Sequence, residues 1–218
     1  MRPDSPVAKL KGRWPAALEA LRGKKVAVTV PGAQVDLTTR YLLMKAGLHP
    51  DTDVTIVSLG GGAPQVAALE QGRVDAIMTF VPFVQILEAA KKAVTVFDYT
   101  ALPPGVPPQV DQPYMVAIAN ARFAAANPQI ATRVHGALAE VQEWMMAPAN
   151  TQALRDELAG GFGVGVAPET IDGIIAQIRR SGVRVDYTCE DFASGIDLMK
   201  AMDKLAGDFA CREYVLRP

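Results

Sequence analysis

DVTIVSLGGGAPQVAALEQGRVDAIMTF, residues 53–80, holds a whole β–α–β unit in one run. The β-branched stretch DVTIVSL (53–59) reads as a buried strand, three glycines turn the chain, and Pro64 stands where a helix favours proline as its first residue. The helix over 64–71 stops at Gly72, and VDAIMTF (74–80) is the next strand. Strands joined through a helix with loops this short run parallel.

The same alternation extends both ways. KKVAVTV (24–30) is a strand, and the helix after PGAQVD shows a broad apolar stripe through Val35, Leu42, Leu43 and Ala46. Gly47 follows where a left-handed C-terminal residue is wanted. Downstream, VPFVQILEAAKKA is a third helix and VTVFDY (94–99) a fourth strand. Residues 2–23 form an irregular approach with a short helix around Pro15–Leu21. The fold class is therefore α/β, with residues 1–105 forming one doubly wound parallel-sheet lobe.

The character then changes. ALPPGVPPQVDQP (101–113) has five prolines in thirteen residues, too stiff for a helix and poor in donors for a ladder. It reads as a crossover, centred on 106–113. Residues 114–218 supply one strand, YMVAIAN (114–120), and then a mostly helical remainder: 127–147, 151–160, 168–182 and 190–207. Apolar residues at 130, 134, 138, 141 and 145 make the first of these amphipathic.

Composition narrows the function. The chain has 218 residues, 50% hydrophobic and 21% charged, with a formal net charge of −1. That balance offers no basic footprint for nucleic acid and no polybasic membrane patch. No apolar run approaches the roughly 20 residues of a membrane span, and MRPDSPVAKLKGRW carries no signal peptide in the chain as given.

The glycines do not hold a nucleotide. A phosphate loop needs Lys and Ser or Thr after its glycines, and GGGAPQVA has neither. The spacing Gly60, Gly62, Gln65 breaks the dinucleotide fingerprint, and the GxG in GGFGVGV (160–166) has no strand before it. What remains is either a flexible turn whose N–H groups face the crevice at the carboxyl ends of the strands, where open parallel sheets bind ligands, or glycines that only permit a tight strand-to-helix turn. Other chemistry is thin. His49 and His135 have no ligand-spaced partners, so no metal site is expected, and no serine sits in a G-x-S-x-G elbow. Cys189 and Cys211 are compatible with one disulfide or with two free thiols.

Residues 21–80, LRGKKVAVTVPGAQVDLTTRYLLMKAGLHPDTDVTIVSLGGGAPQVAALEQGRVDAIMTF, resemble the second lobe of the solute-binding proteins of ABC importers. The branch is the one that handles sulfonates, taurine, nitrate and the thiamine-pyrimidine precursor, with the type II periplasmic-binding-protein fold. YMVAIANARFAAANPQIATRVHGALAE resembles the segment that returns to the first lobe. The resemblance implies that the chain opens inside the second lobe and holds the first only as its returning strand and C-terminal helices.

It also implies a function: two lobes closing non-covalently on a small organic or anionic solute, then docking on a permease in the periplasm, with no cofactor and no catalytic residue. The ligand-binding residues would be Pro31, Gly32, Ala33 and Gln34 with their unpaired amides, Gly60, Gly61, Gly62 and Ala63, and Phe80, Val81, Pro82 and Phe83. Many relatives have Ser where this chain has Ala33, which argues against assuming a sulfonate or nitrate. An incomplete first lobe implies self-association through residues 114–207. Two alternatives share the fold. One is the effector-sensing domain of a transcription regulator. The other is a thiamine-pyrimidine biosynthesis enzyme, which would need a Schiff-base lysine and a cluster of histidines and cysteines around iron.

Overall fold

The computed structural model describes residues 1–162, 166–211 and 215. Strands β1 (Lys25–Val28), β2 (Thr55–Ser58) and β3 (Ala76–Ile77) form one parallel sheet in the order β2-β1-β3. Val26 pairs with Ile56 on one side and with Ala76 on the other. KVAV takes the centre because only its lysine is exposed, and a strand with helices on both faces must be apolar on both.

Successive side chains of the strands serve opposite layers. Val26 and Ala76 join Leu18 of α1 (Ala16–Glu19) and Leu37, Tyr41 and Leu42 of α2 (Gln34–Lys45) in one core. Ala27, with Val57 and Ile77 beside it, joins Ala68 and Leu69 of α3 (Ala63–Glu70) and Leu87 of α4 (Phe83–Ala89) in the other. Helices cover both faces of a parallel sheet, so the lobe is the doubly wound α/β unit that residues 53–80 predict.

Two predicted strands are absent among the described residues. VTVFDY (94–99) is irregular because other backbone takes its hydrogen bonds. The Val94 N–H donates to the Met1 carbonyl at 2.8 Å, and the Val96 carbonyl accepts from the Gly12 N–H at 3.0 Å. Its side chains still pack, Val96, Phe97 and Tyr99 lying against the first core. YMVAIAN (114–120) is also irregular. Met115 and Ile118 are almost wholly exposed, and a strand without a partner leaves its backbone to water.

Beyond the crossover the chain is helical: α5 (Ala121–Ala126), α6 (Pro128–Met146), α7 (Thr151–Phe162), α8 (Pro168–Ser181) and α9 (Ala193–Ala201). α5 is an addition to the sequence reading, started by Asn120, whose side chain accepts from the Phe123 N–H at 3.2 Å. Leu154, Ile171, Ile174 and Ile175 make a small core between α7 and α8, against which Met145 and Val81 pack. α8 ends at Gly182, with φ 71°, as its glycine suggests. α9 sends Leu198 into the first core. Cys189 and Cys211 form a disulfide with 5.7 Å between their Cα atoms, resolving the alternative left open by their spacing. Residues 163–165 of GGFGVGV lie outside the described residues. No helix among the described residues is long and apolar enough to cross a membrane.

Candidate functional site

Parallel pairing sends the turns after all three strands to the same end of the sheet. The turn after β1 is Pro31-Gly32-Ala33-Gln34, with Pro31 and Gly32 exposed. Its amides are less open than the sequence implies. Gly32 N–H donates to Asp36 Oδ2 at 2.8 Å, and Ala33 N–H donates to the Val30 carbonyl at 3.1 Å. Asp36 thus places a carboxylate at the positive end of α2, reaching back from the first turn as capping-box acids do. That carboxylate is 3% exposed and also accepts from Arg40 Nε at 2.8 Å, while Arg40 Nη1 reaches Asp51 at 2.6 Å. Burial opposes the charge on Arg40, but the bonds to Asp51 and Asp36 outweigh it and hold the guanidinium more firmly protonated.

The turn after β2 is bound to the end of β1. Thr29 carbonyl accepts both Gly60 N–H, at 3.0 Å, and Ser58 Oγ, at 2.8 Å. Gly62 has φ 76° and ψ −129°, a conformation essentially restricted to glycine. The turn after β3, Phe80-Val81-Pro82-Phe83, is closed by Phe83 N–H donating to the Phe80 carbonyl at 2.9 Å. Its two rings meet edge to face at 6.0 Å between centroids and lie over the glycines. A Cβ on Gly61 would come within 3.2 Å of the Phe80 ring, and one on Gly62 within 2.6 Å of Phe83. Ala63 opens α3 and is exposed, Pro82 precedes α4, and Val81 turns toward the α7–α8 core.

The structure therefore joins the second and third predicted turns. The first belongs to a neighbouring cleft of about 660 Å³, where Gly32 lies with Asp36, Arg40, Met44, His49 and Lys204. There the charge of Arg40 is met by two carboxylates of the protein itself.

One residue the sequence reading passed over stands at the joined turns. Gln65 is 0% exposed, its N–H donates to the Gly62 carbonyl at 3.0 Å, and neither amide atom of its side chain has a partner. Thr79 Oγ1 is likewise buried without a partner. The signal for Gln65 was present: it shares the i, i+3, i+4 face of Ala68 and Leu69, which points inward.

The histidines are engaged elsewhere. His49 Nδ1 accepts from Asp51 N–H at 3.3 Å, and His135 pairs with Asp186 at 2.9 Å. No group of three or more His, Cys, Asp or Glu suited to a metal occurs among the described residues.

Residues 4–159 match the model of the NMT1-like family. No curated protein matches the chain in sequence. In fold it resembles the alkanesulfonate-binding protein SsuA of Xanthomonas axonopodis pv. citri bound to MOPS. The TM-score is 0.65 at 20% identity, over 87% of this chain and 61% of that one. A protein of Bordetella bronchiseptica RB50 gives 0.64 at 24% identity, over 89% of this chain and 60% of that one. The chain thus spans about three fifths of the length of these neighbours. The family match spans the stretch 21–80 that carries the resemblance, and both neighbours share its fold.

Proposed function

Because the chain belongs to the NMT1-like family, we propose that it binds a small organic solute non-covalently, as the solute-binding component of an ABC importer. The joined turns carry this reading. Gly60, Gly61 and Gly62 bring bare backbone to the carboxyl end of a parallel sheet, and Phe80 and Phe83 lie over it as an apolar pair set edge to face. Nothing there resembles a nucleophile with its base, so the reading is capture and release, with no covalent step.

The solute would pass to a membrane permease, and the protein would work in the periplasm. The Cys189–Cys211 disulfide suits that oxidising compartment. Self-association through residues 114–207 is part of the same proposal. Met115, Ile118, Val134 and Val141 are exposed apolar side chains on one stretch of chain, and a second copy would cover them.

Native mass spectrometry of freshly purified protein tests the binding reading. The expected result is a co-purified small molecule released on mild activation, and its loss in Gly62→Leu, which drives a side chain into the Phe83 ring. Retention of the ligand by that variant overturns the site. Sedimentation velocity tests the assembly, and a monomer at every concentration overturns it.

A further inference from the structure

We propose that Gln65 reads the ligand at the joined turns, and that the group it reads is uncharged with a donor and an acceptor side by side, as in a carboxamide on a flat ring. This rests on the reading of those turns as the ligand site. The first observation is the amide itself. Gln65 is fully enclosed with both side-chain atoms unpartnered, on the inward face of α3 and three residues beyond Gly62. A buried amide in that condition costs stability that Met or Leu of similar size would not. Thr79, two residues past β3, adds a buried hydroxyl without a partner.

The second observation is charge. Residues 29–34, 58–65 and 79–83 contain no Lys, Arg, Asp or Glu. The turns themselves supply no guanidinium or ammonium to meet a sulfonate or nitrate. The N-terminus of α2, the natural anion position, already holds Asp36 against Gly32 N–H. α3 adds little, since Pro64 has no N–H and that of Gln65 is donated to Gly62. An anion brought here would lose water without gaining a counter-charge. A neutral amide edge would satisfy the Nε2 donor and Oε1 acceptor of Gln65 together.

Access runs past the rings. Phe80 is 50% exposed, so it can turn into solvent without opening either core. A flat ring entering in its place would then lie against Phe83 and Gly61.

The test uses ¹⁵N-labelled protein titrated with nicotinamide and, separately, with benzenesulfonate. Nicotinamide is expected to shift the Gly60–Gly62 amide signals and the Gln65 side-chain NH₂ pair, and to bind at least about tenfold more tightly than benzenesulfonate. Gln65→Met is expected to weaken nicotinamide about tenfold while melting at the same temperature or higher. If benzenesulfonate shifts the same signals at equal or lower concentration, or if Gln65→Met binds nicotinamide unchanged, the turns stand as a ligand site and the role of Gln65 falls. A clear drop in melting temperature for Gln65→Met also overturns that role, because the amide is then structural. If neither compound moves the signals of residues 60–65 and 79–83, the ligand site itself falls and this inference with it.

Discussion

Helices α2 and α6 invert what their sequences suggest. α6 is 19 residues long with apolar side chains at regular helical spacing, yet none of its residues is buried. α2 has 12 residues, two of them threonines in its middle, and Asp36, Leu37, Thr38, Thr39, Tyr41, Leu42 and Leu43 are all buried. The difference is position. α2 lies between the sheet and α9, so even its polar residues are enclosed. α6 carries Val134, Leu138 and Val141 on an open face. Periodicity shows which face of a helix is apolar; it does not supply what covers that face.

The largest expected effect separates the two helices most sharply. Leu43→Ala, at a site with no exposure, is expected to cost about 3–5 kcal/mol in denaturant unfolding, as large core truncations do. A loss of under about 1 kcal/mol would mean that α2 is not the keystone of this lobe. Gly62→Ala comes next, at about 2–3 kcal/mol, from backbone strain and the approach to Phe83. The same measurement on Gly136→Ala in α6, where a Cβ meets nothing within 4 Å, is expected to show a gain of about 0.5–1 kcal/mol.

A pH titration sharpens the contrast on the side of α2. Tyr99 packs into the first core, where burial pushes its phenol well above the ordinary range. The unfolded chain ionises this group near pH 10 while the folded one does not. Stability is therefore fully present below about pH 10 and is lost as pH rises toward the folded value, at roughly 1 kcal/mol per pH unit. Melting curves between pH 8 and 11 should show that fall, reduced in Tyr99→Phe. The smallest effect belongs to α6: Leu138→Ala is expected to stay within about 0.5 kcal/mol in dilute protein. A larger loss that grows with concentration would reveal the covered face of an assembly.

The sequence made the α/β lobe legible because its cues are local. Pro64 and Gly72 bracket α3, Gly47 follows α2, and the apolar run of β1 marks a strand buried on both faces. Residues 94–99 and 114–120 read as strands but are irregular. Their β-branched and aromatic residues fit a sheet, but a strand also needs a free edge, and such an edge is remote in sequence. Of the candidate site, the glycine turn and the Phe80–Phe83 turn could be found by position alone. That Gly32 was already bonded to Asp36 could have been foreseen, since an acid in the first turn of a helix commonly reaches back. Helical arithmetic could turn Gln65 inward, but not show that its amide meets no partner there.

The bond between Cys189 and Cys211 threads a further consequence through the molecule. The two cysteines stand 22 positions apart and the loop they close contains α9, the helix that delivers Leu198 against α2. Closing that loop takes freedom from the unfolded chain, so reducing the bond is expected to cost about 3 kcal/mol, read as a fall in melting temperature.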